Sequence, residues 1–196
     1  RLQELAQSAA RREVSGLWAG VSQAVMERAE LQLAYEQACR ALAQGFFYPG
    51  IYVLSEPLVD SLEEEWSPRE QSALEEDVRR LGNLLGTGRS HEISELVHQL
   101  FRLSGTGMRR LEQVQRTARL INEGVLDEVF RHFGEASIEV LRLYRRVCSL
   151  DHYRYFHDYC RDLEQLLLSL DEYIGQLRLV HSEHGRLKEA VEFLHR

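Results

Sequence analysis

YRYFHDYCRDLEQLLLSLDEYIGQL, residues 153–177, decides the fold. Its apolar positions Tyr153, Phe156, Cys160, Leu163, Leu167, Leu170, Ile174 and Leu177 step by 3, 4, 3, 4, 3, 4 and 3. That alternation keeps one face apolar on an α-helix of about 3.6 residues per turn, and it fits no strand, whose period is about 2. After Leu177 the stripe jumps three to Val180 and resumes at His184, Leu187, Val191 and Leu194, so two successive threes overwind the heptad locally. With Asp151 as its cap, a helix over about 151–194 follows, roughly 60 Å long. Such a helix needs a partner of similar length.

The other end of the chain offers one. Ala10, Val14, Leu17, Val21, Ala24, Leu31, Tyr35, Ala38 and Leu42 repeat at 4 and 3 with one gap, at Arg28, and no proline interrupts residues 2–44. This pattern predicts a second long helix over about 2–44, stopped by Gly45 and Pro49-Gly50. Between the two, FFYPGIYVLSEP (Phe46–Pro57) is the one strongly non-helical passage; it reads as an ordered apolar turn, with a hairpin as the weaker alternative. Shorter helices fill about 56–149. Ser55 and Pro57 open an acidic one through Trp66, Ser67-Pro68-Arg69-Glu70 forms a capping box for the next, Ser90 begins a third, Met108 to Phe133 supports a fourth, and the last lies near 136–149.

The expected architecture is therefore all-α: one domain spanning 1–196, an elongated bundle of five to seven helices with two long coiled-coil-like helices as its spine. Composition agrees. A hydrophobic fraction of 44% can bury a core, and three prolines among 196 residues leave few of the turns an all-β chain needs.

The net charge of −7 argues against a general nucleic-acid binder, because a negative molecule repels phosphate. Charge is unevenly spread: residues 56–78 hold nine acids and one arginine, while residues 102–146 hold nine arginines and six acids. The basic side chains are almost all arginine, with Lys188 the single lysine. Cys39, Cys148 and Cys160 are odd in number and widely spaced, which reads as reduced, mostly buried thiols in the cytoplasm. The longest apolar run, Leu166–Leu168, is far too short to span a membrane. A chain beginning at Arg1 reads as a piece of a longer protein, so the lack of a leader carries no information.

Candidate chemistry is sparse. His152 and His157, five apart on a helix, point about 140° from each other and cannot share an ion. His157 with Cys160, His181 with His184, and His91 with Glu95 and His98 each share a face, but none completes a zinc or di-iron pattern, and HEISE is not HExxH. GTGRS and SGTG follow no strand, and no nucleophile elbow or Walker loop occurs. Neither catalysis nor a cofactor is expected.

What remains is surface. Arg109, Arg116, Arg119, Arg142, Arg145 and Arg146 form a basic face, a solvated one in the plain reading and a docking surface in the sharper one. Leu163, Leu167, Leu170, Ile174 and Leu177 are either a groove for a partner helix or part of the spine. The leading expectation is a non-catalytic protein-interaction or scaffold module that binds protein partners and can form a homodimer through its long helices. Peripheral contact with an anionic membrane is a weaker use of the arginines. The first alternative is a sensor or small-ligand domain of a signalling receptor, with a cavity near Trp66, Phe130, Phe133 and Tyr153; the second is a metal or haem bundle using His91, His98, His157, His184 or Cys160.

Overall fold

The N-terminal part of the chain departs from the single long helix that its periodicity predicts. The structure, a computed structural model, describes residues 19–47, 53–55, 68–101, 111–132 and 138–194, with backbone alone for 53–55 and 181–194. Within it Ala19–Val21 is a short strand, β1, and regular helix begins only after a 3₁₀ turn at Arg28–Glu30, as α1, Leu31–Ala43. The expected helix over 2–44 is therefore wrong across 19–30. Arg28, the gap in the apolar repeat, lies where the new helix starts. There the Glu30 carboxylate accepts the backbone N–H groups of Met26 and Glu27, each at 3.4 Å, holding the entry turn.

A second strand, β2 (Val53–Ser55), pairs in parallel with β1, placing Ala19 opposite Val53 and Val21 opposite Ser55. The short hairpin considered within Phe46–Pro57 lies largely outside the described residues, of which Gln44–Phe46 is a 3₁₀ turn and Val53–Ser55 pairs with β1. Gly20 explains why β1 can lie on α1, since a Cβ there would run into the backbone of Ala38 and Leu42. The face α1 turns inward is accordingly made of small residues, with Ala34 and Ala41 buried.

The remaining helices agree with the expected pattern. They are α2 (Pro68–Leu84), α3 (Ser90–Leu100), α4 (Leu111–Ile121), α5 (Asp127–His132), α6 (Ile138–Val147) and α7 (Phe156–Leu194). A π-turn, Asn122–Leu126, joins α4 to α5. The fold is all-α, with the six-residue ladder as its only extended part among the described residues. Among the described residues only α7, at 39 residues, is long, so the expected spine of two long helices is not found among them. The predicted acidic helix after Ser55 lies outside the described residues.

Contacts divide the described residues into two compact units, the first of 19–47, 53–55, 111–115 and 153–158, the second of the rest. In the first, Phe46, Phe47 and Phe156 form an aromatic triangle with ring centroids 5.2 to 5.8 Å apart, beside buried Tyr153. The aromatic density at the start of the C-terminal segment is thus packing.

In the second unit α2 contributes Leu74, Val78, Leu81 and Leu84 to the core, and α3 contributes Ile93, Leu96, Val97 and Leu100. The first set steps by 4, 3 and 3 and the second falls at i, i+3, i+4 and i+7, both the spacing of one apolar face on an amphipathic helix. On α7, Tyr159, Cys160, Leu163, Leu166, Leu167, Leu170 and Ile174 are buried, together with Asp162 and Asp171. These positions cover about half the helix circumference, wider than a coiled-coil seam, so α7 is a central core helix over this stretch. Each buried leucine stabilises the fold by about 1.5–3 kcal/mol relative to exposure.

Asp171 is buried because it has a task. Its Oδ1 accepts the backbone N–H groups of Gly86, Thr87 and Gly88 at 2.7, 3.0 and 3.1 Å, and Arg178 donates to the Gly86 carbonyl at 3.1 Å. Gly86 and Gly88 adopt φ of 78° and 74°, the left-handed conformation that ends α2. At Gly86 a side chain is doubly excluded, because a Cβ would also overlap Ile174.

Candidate interaction surface

The sequence IEVLRLYRRV of α6 has more apolar residues than one buried face requires. Val140, Leu143, Tyr144 and Val147, at i, i+3, i+4 and i+7, turn inward, and Val147 is fully buried. The Tyr144 hydroxyl donates to Asp127 Oδ1 at 2.6 Å, and its ring stacks on Phe130 with centroids 4.0 Å apart. Burial, and then this bond to Asp127, pushes the Tyr144 hydroxyl above its ordinary range, so it remains a neutral donor. Burial likewise raises the Cys148 thiol. Asn122, at the head of the π-turn, donates from Nδ2 to the Cys148 carbonyl at 3.2 Å and fastens the helix C-terminus.

Arg146 belongs to this fastening. Its guanidinium donates to Asp162, whose side chain is only 5% exposed, forming an ion pair at the edge of the core. Arg161 also approaches Asp162, at 3.6 Å. A buried carboxylate needs such pairing, so Arg146, about half exposed, already has an ionic partner within the chain.

The outward face of α6 is different in kind. Ile138 is 71% exposed and Leu141 36% exposed, and Arg142 and Arg145 are exposed beside them. Among the described residues neither arginine has a hydrogen bond or ion pair. Arg116 and Arg119 sit on a separate helix, α4, exposed on the side opposite buried Thr117, Ala118 and Ile121. Arg109 lies outside the described residues. The expected six-arginine face therefore reduces to different settings. Ile138 and Leu141 escaped the sequence reading, although their surplus in an already amphipathic helix was a usable signal.

Leu163, Leu167, Leu170 and Ile174 are buried in the second unit, so they are core and offer no groove; Leu177 is half-buried. Exposed apolar side chains occur instead on α1, where Leu31, Leu33, Tyr35 and Leu42 face solvent. Two of the three thiols, Cys39 and Cys148, are exposed, against the expectation of mostly buried ones.

Among the described residues no group of three or more His, Cys, Asp or Glu side chains could hold a metal ion. His91 sits 3.4 Å from Glu95, and His157 3.3 Å from Asp158, both as exposed local pairs, while the side chain of His184 is outside the description. Trp66 and Phe133 of the expected cavity are also outside it. An open groove of about 610 Å³ lies elsewhere in the second unit, between the Gly88–Ser90 turn and Arg161, Glu164, Leu168 and Glu172 of α7, with both signs of charge on its walls. No helix among the described residues is long and apolar enough to cross a membrane.

Compared with protein-family models, with curated proteins and with solved structures, the chain matches none.

Proposed function

We propose that this chain is a non-catalytic helical protein-interaction module, a scaffold that takes protein partners, a second copy included, on exposed helix faces. The observation that carries this reading is the apolar stripe of α1. Leu31, Tyr35 and Leu42, 57%, 71% and 42% exposed, lie in one line with Ala38, and apolar side chains aligned on an exposed helix face favour association. Leu31 and Tyr35, one turn apart and ahead of the Ala38–Leu42 backbone against which β1 lies, are the contact a second copy of the chain would make. The same proposal sets the chain in the cytoplasm, where exposed Cys39 and Cys148 stay reduced.

Light scattering on a size-exclusion column over a concentration series tests self-association. The wild-type protein is expected to pass from monomer to dimer as concentration rises, and a Leu31→Glu, Tyr35→Glu double variant to stay monomeric at every concentration. A wild-type protein that is monomeric throughout removes self-association from the proposal.

A further inference from the structure

The outward face of α6 joins two chemistries. Ile138, Leu141, Arg142 and Arg145, at i, i+3, i+4 and i+7, fall within an arc of about 100°, so two exposed apolar side chains stand beside two guanidinium groups. Glu139, the helix's one acid, lies round the flank toward Arg146. Arg142 and Arg145 share with Arg116 and Arg119 the lack of an ionic partner among the described residues; what sets this face apart is the pair of exposed apolar side chains beside its arginines. One residue further on, Arg146 is drawn to Asp162.

We propose that this face docks an acidic segment of a protein partner, one that presents two carboxylates next to apolar side chains; this rests on the reading of the chain as an interaction module. Charge complementarity names the occupant. Guanidinium groups bind carboxylates through paired, charge-assisted hydrogen bonds, and the bonds strengthen where neighbouring apolar groups exclude water. Ile138 and Leu141 supply that dry centre, with Arg142 and Arg145 flanking it. The inner face is already fixed by Tyr144 on Asp127, Asn122 on the Cys148 carbonyl and Arg146 on Asp162, so the helix need not be ordered on binding. An anionic bilayer fits less well. Polybasic membrane segments carry about 4–8 basic residues, whereas this face has two arginines on a chain of net charge −7.

The test titrates the full chain with a fluorescent synthetic helical peptide about four turns long, bearing two leucines and two glutamates on one face. A control peptide has lysine for glutamate, and vesicles of phosphatidylcholine with phosphatidylserine serve as the lipid probe. The acidic peptide is expected to bind saturably, about tenfold more weakly to Arg142→Glu and to Arg145→Glu, and about tenfold more weakly to Ile138→Asp. The lysine peptide and the vesicles are expected not to bind. All three substitutions are on exposed positions, and Arg142→Gln gives a milder second variant whose weakening must lie between wild type and Arg142→Glu. The proposal is overturned by no saturable binding up to about 1 mM, by equal binding of both peptides, by indifference to the arginine variants, or by binding to vesicles alone. Should the peptide fail while Leu31→Glu, Tyr35→Glu still dissolves a dimer, the docking face falls and the module reading stands.

Discussion

α1 and α7 carry the same alternation of apolar residues and use it in opposite ways. On α7 the stripe Leu163, Leu167, Leu170, Ile174 is buried, whereas on α1 the stripe Leu31, Tyr35, Leu42 faces out and the alanines Ala34 and Ala41 face in. What differs is the neighbour. Gly20 brings β1 against the backbone at Ala38 and Leu42, and beside so close an approach the residues α1 buries are the small ones, Ala34 and Ala41. Periodicity thus reveals that a helix has an apolar face, while the closeness of its nearest neighbour decides whether large residues or small ones are buried.

The most forceful way to break this comparison is to truncate one residue in each stripe. Leu167→Ala on α7 is expected to cost about 2–5 kcal/mol, because a fully buried side chain is removed and a cavity left, whereas Leu31→Ala on α1 should stay within about 0.5 kcal/mol. Urea unfolding of the two variants measures both, and equal losses would mean that the α1 stripe is packed after all. A smaller effect sharpens the description of α7 as a core helix with a polar task. Asp171→Ala leaves three loop N–H groups without their acceptor and is expected to destabilise by about 1–3 kcal/mol, with Asp171→Asn, which keeps a carbonyl acceptor, losing less. If asparagine and alanine lose equally, the carboxylate charge carries the interaction.

The smallest effect concerns α6, which combines a fastened face and a free one within ten residues. Tyr144→Phe should cost about 1 kcal/mol at neutral pH and leave peptide docking unchanged. Because the folded-state pKa of Tyr144 is raised, its contribution is fully present below the unfolded value of about 10 and is lost as pH climbs from there through the folded value. The difference in thermal midpoint between wild type and Tyr144→Phe should therefore shrink in alkaline buffer. A constant difference would show that the hydroxyl does not titrate with unfolding.

Much of the helical layout was legible. α2 starts at the proline after Ser67 and stops at the glycines of GTGRS, and α4, α6 and α7 lie where their stripes run, since caps, breakers and apolar spacing are local properties of the chain. Legibility ended where residues distant in sequence decide. The strand at Ala19–Val21 depends on pairing with Val53–Ser55, the extra residue of the π-turn barely perturbs the stripe of Ile121 and Val125, and nothing near Arg146 in sequence announces Asp162. The interaction surface suffered most. Arg142, Arg145 and Arg146 look alike as letters, yet a buried carboxylate claims only the third.

The carboxylate of Asp171 also has a consequence in time. It grips a turn made 85 residues earlier, so during synthesis at about 5–20 residues per second Gly86 is added to the chain roughly 4–17 seconds before its acceptor exists. Over that interval the three loop amides can be satisfied only by water, and the C-terminus of α2 lacks its native stop. A chain truncated before Asp171 lacks the acceptor for these amides and the buried Ile174 that packs at Gly86, and is expected to leave the end of α2 without its native packing.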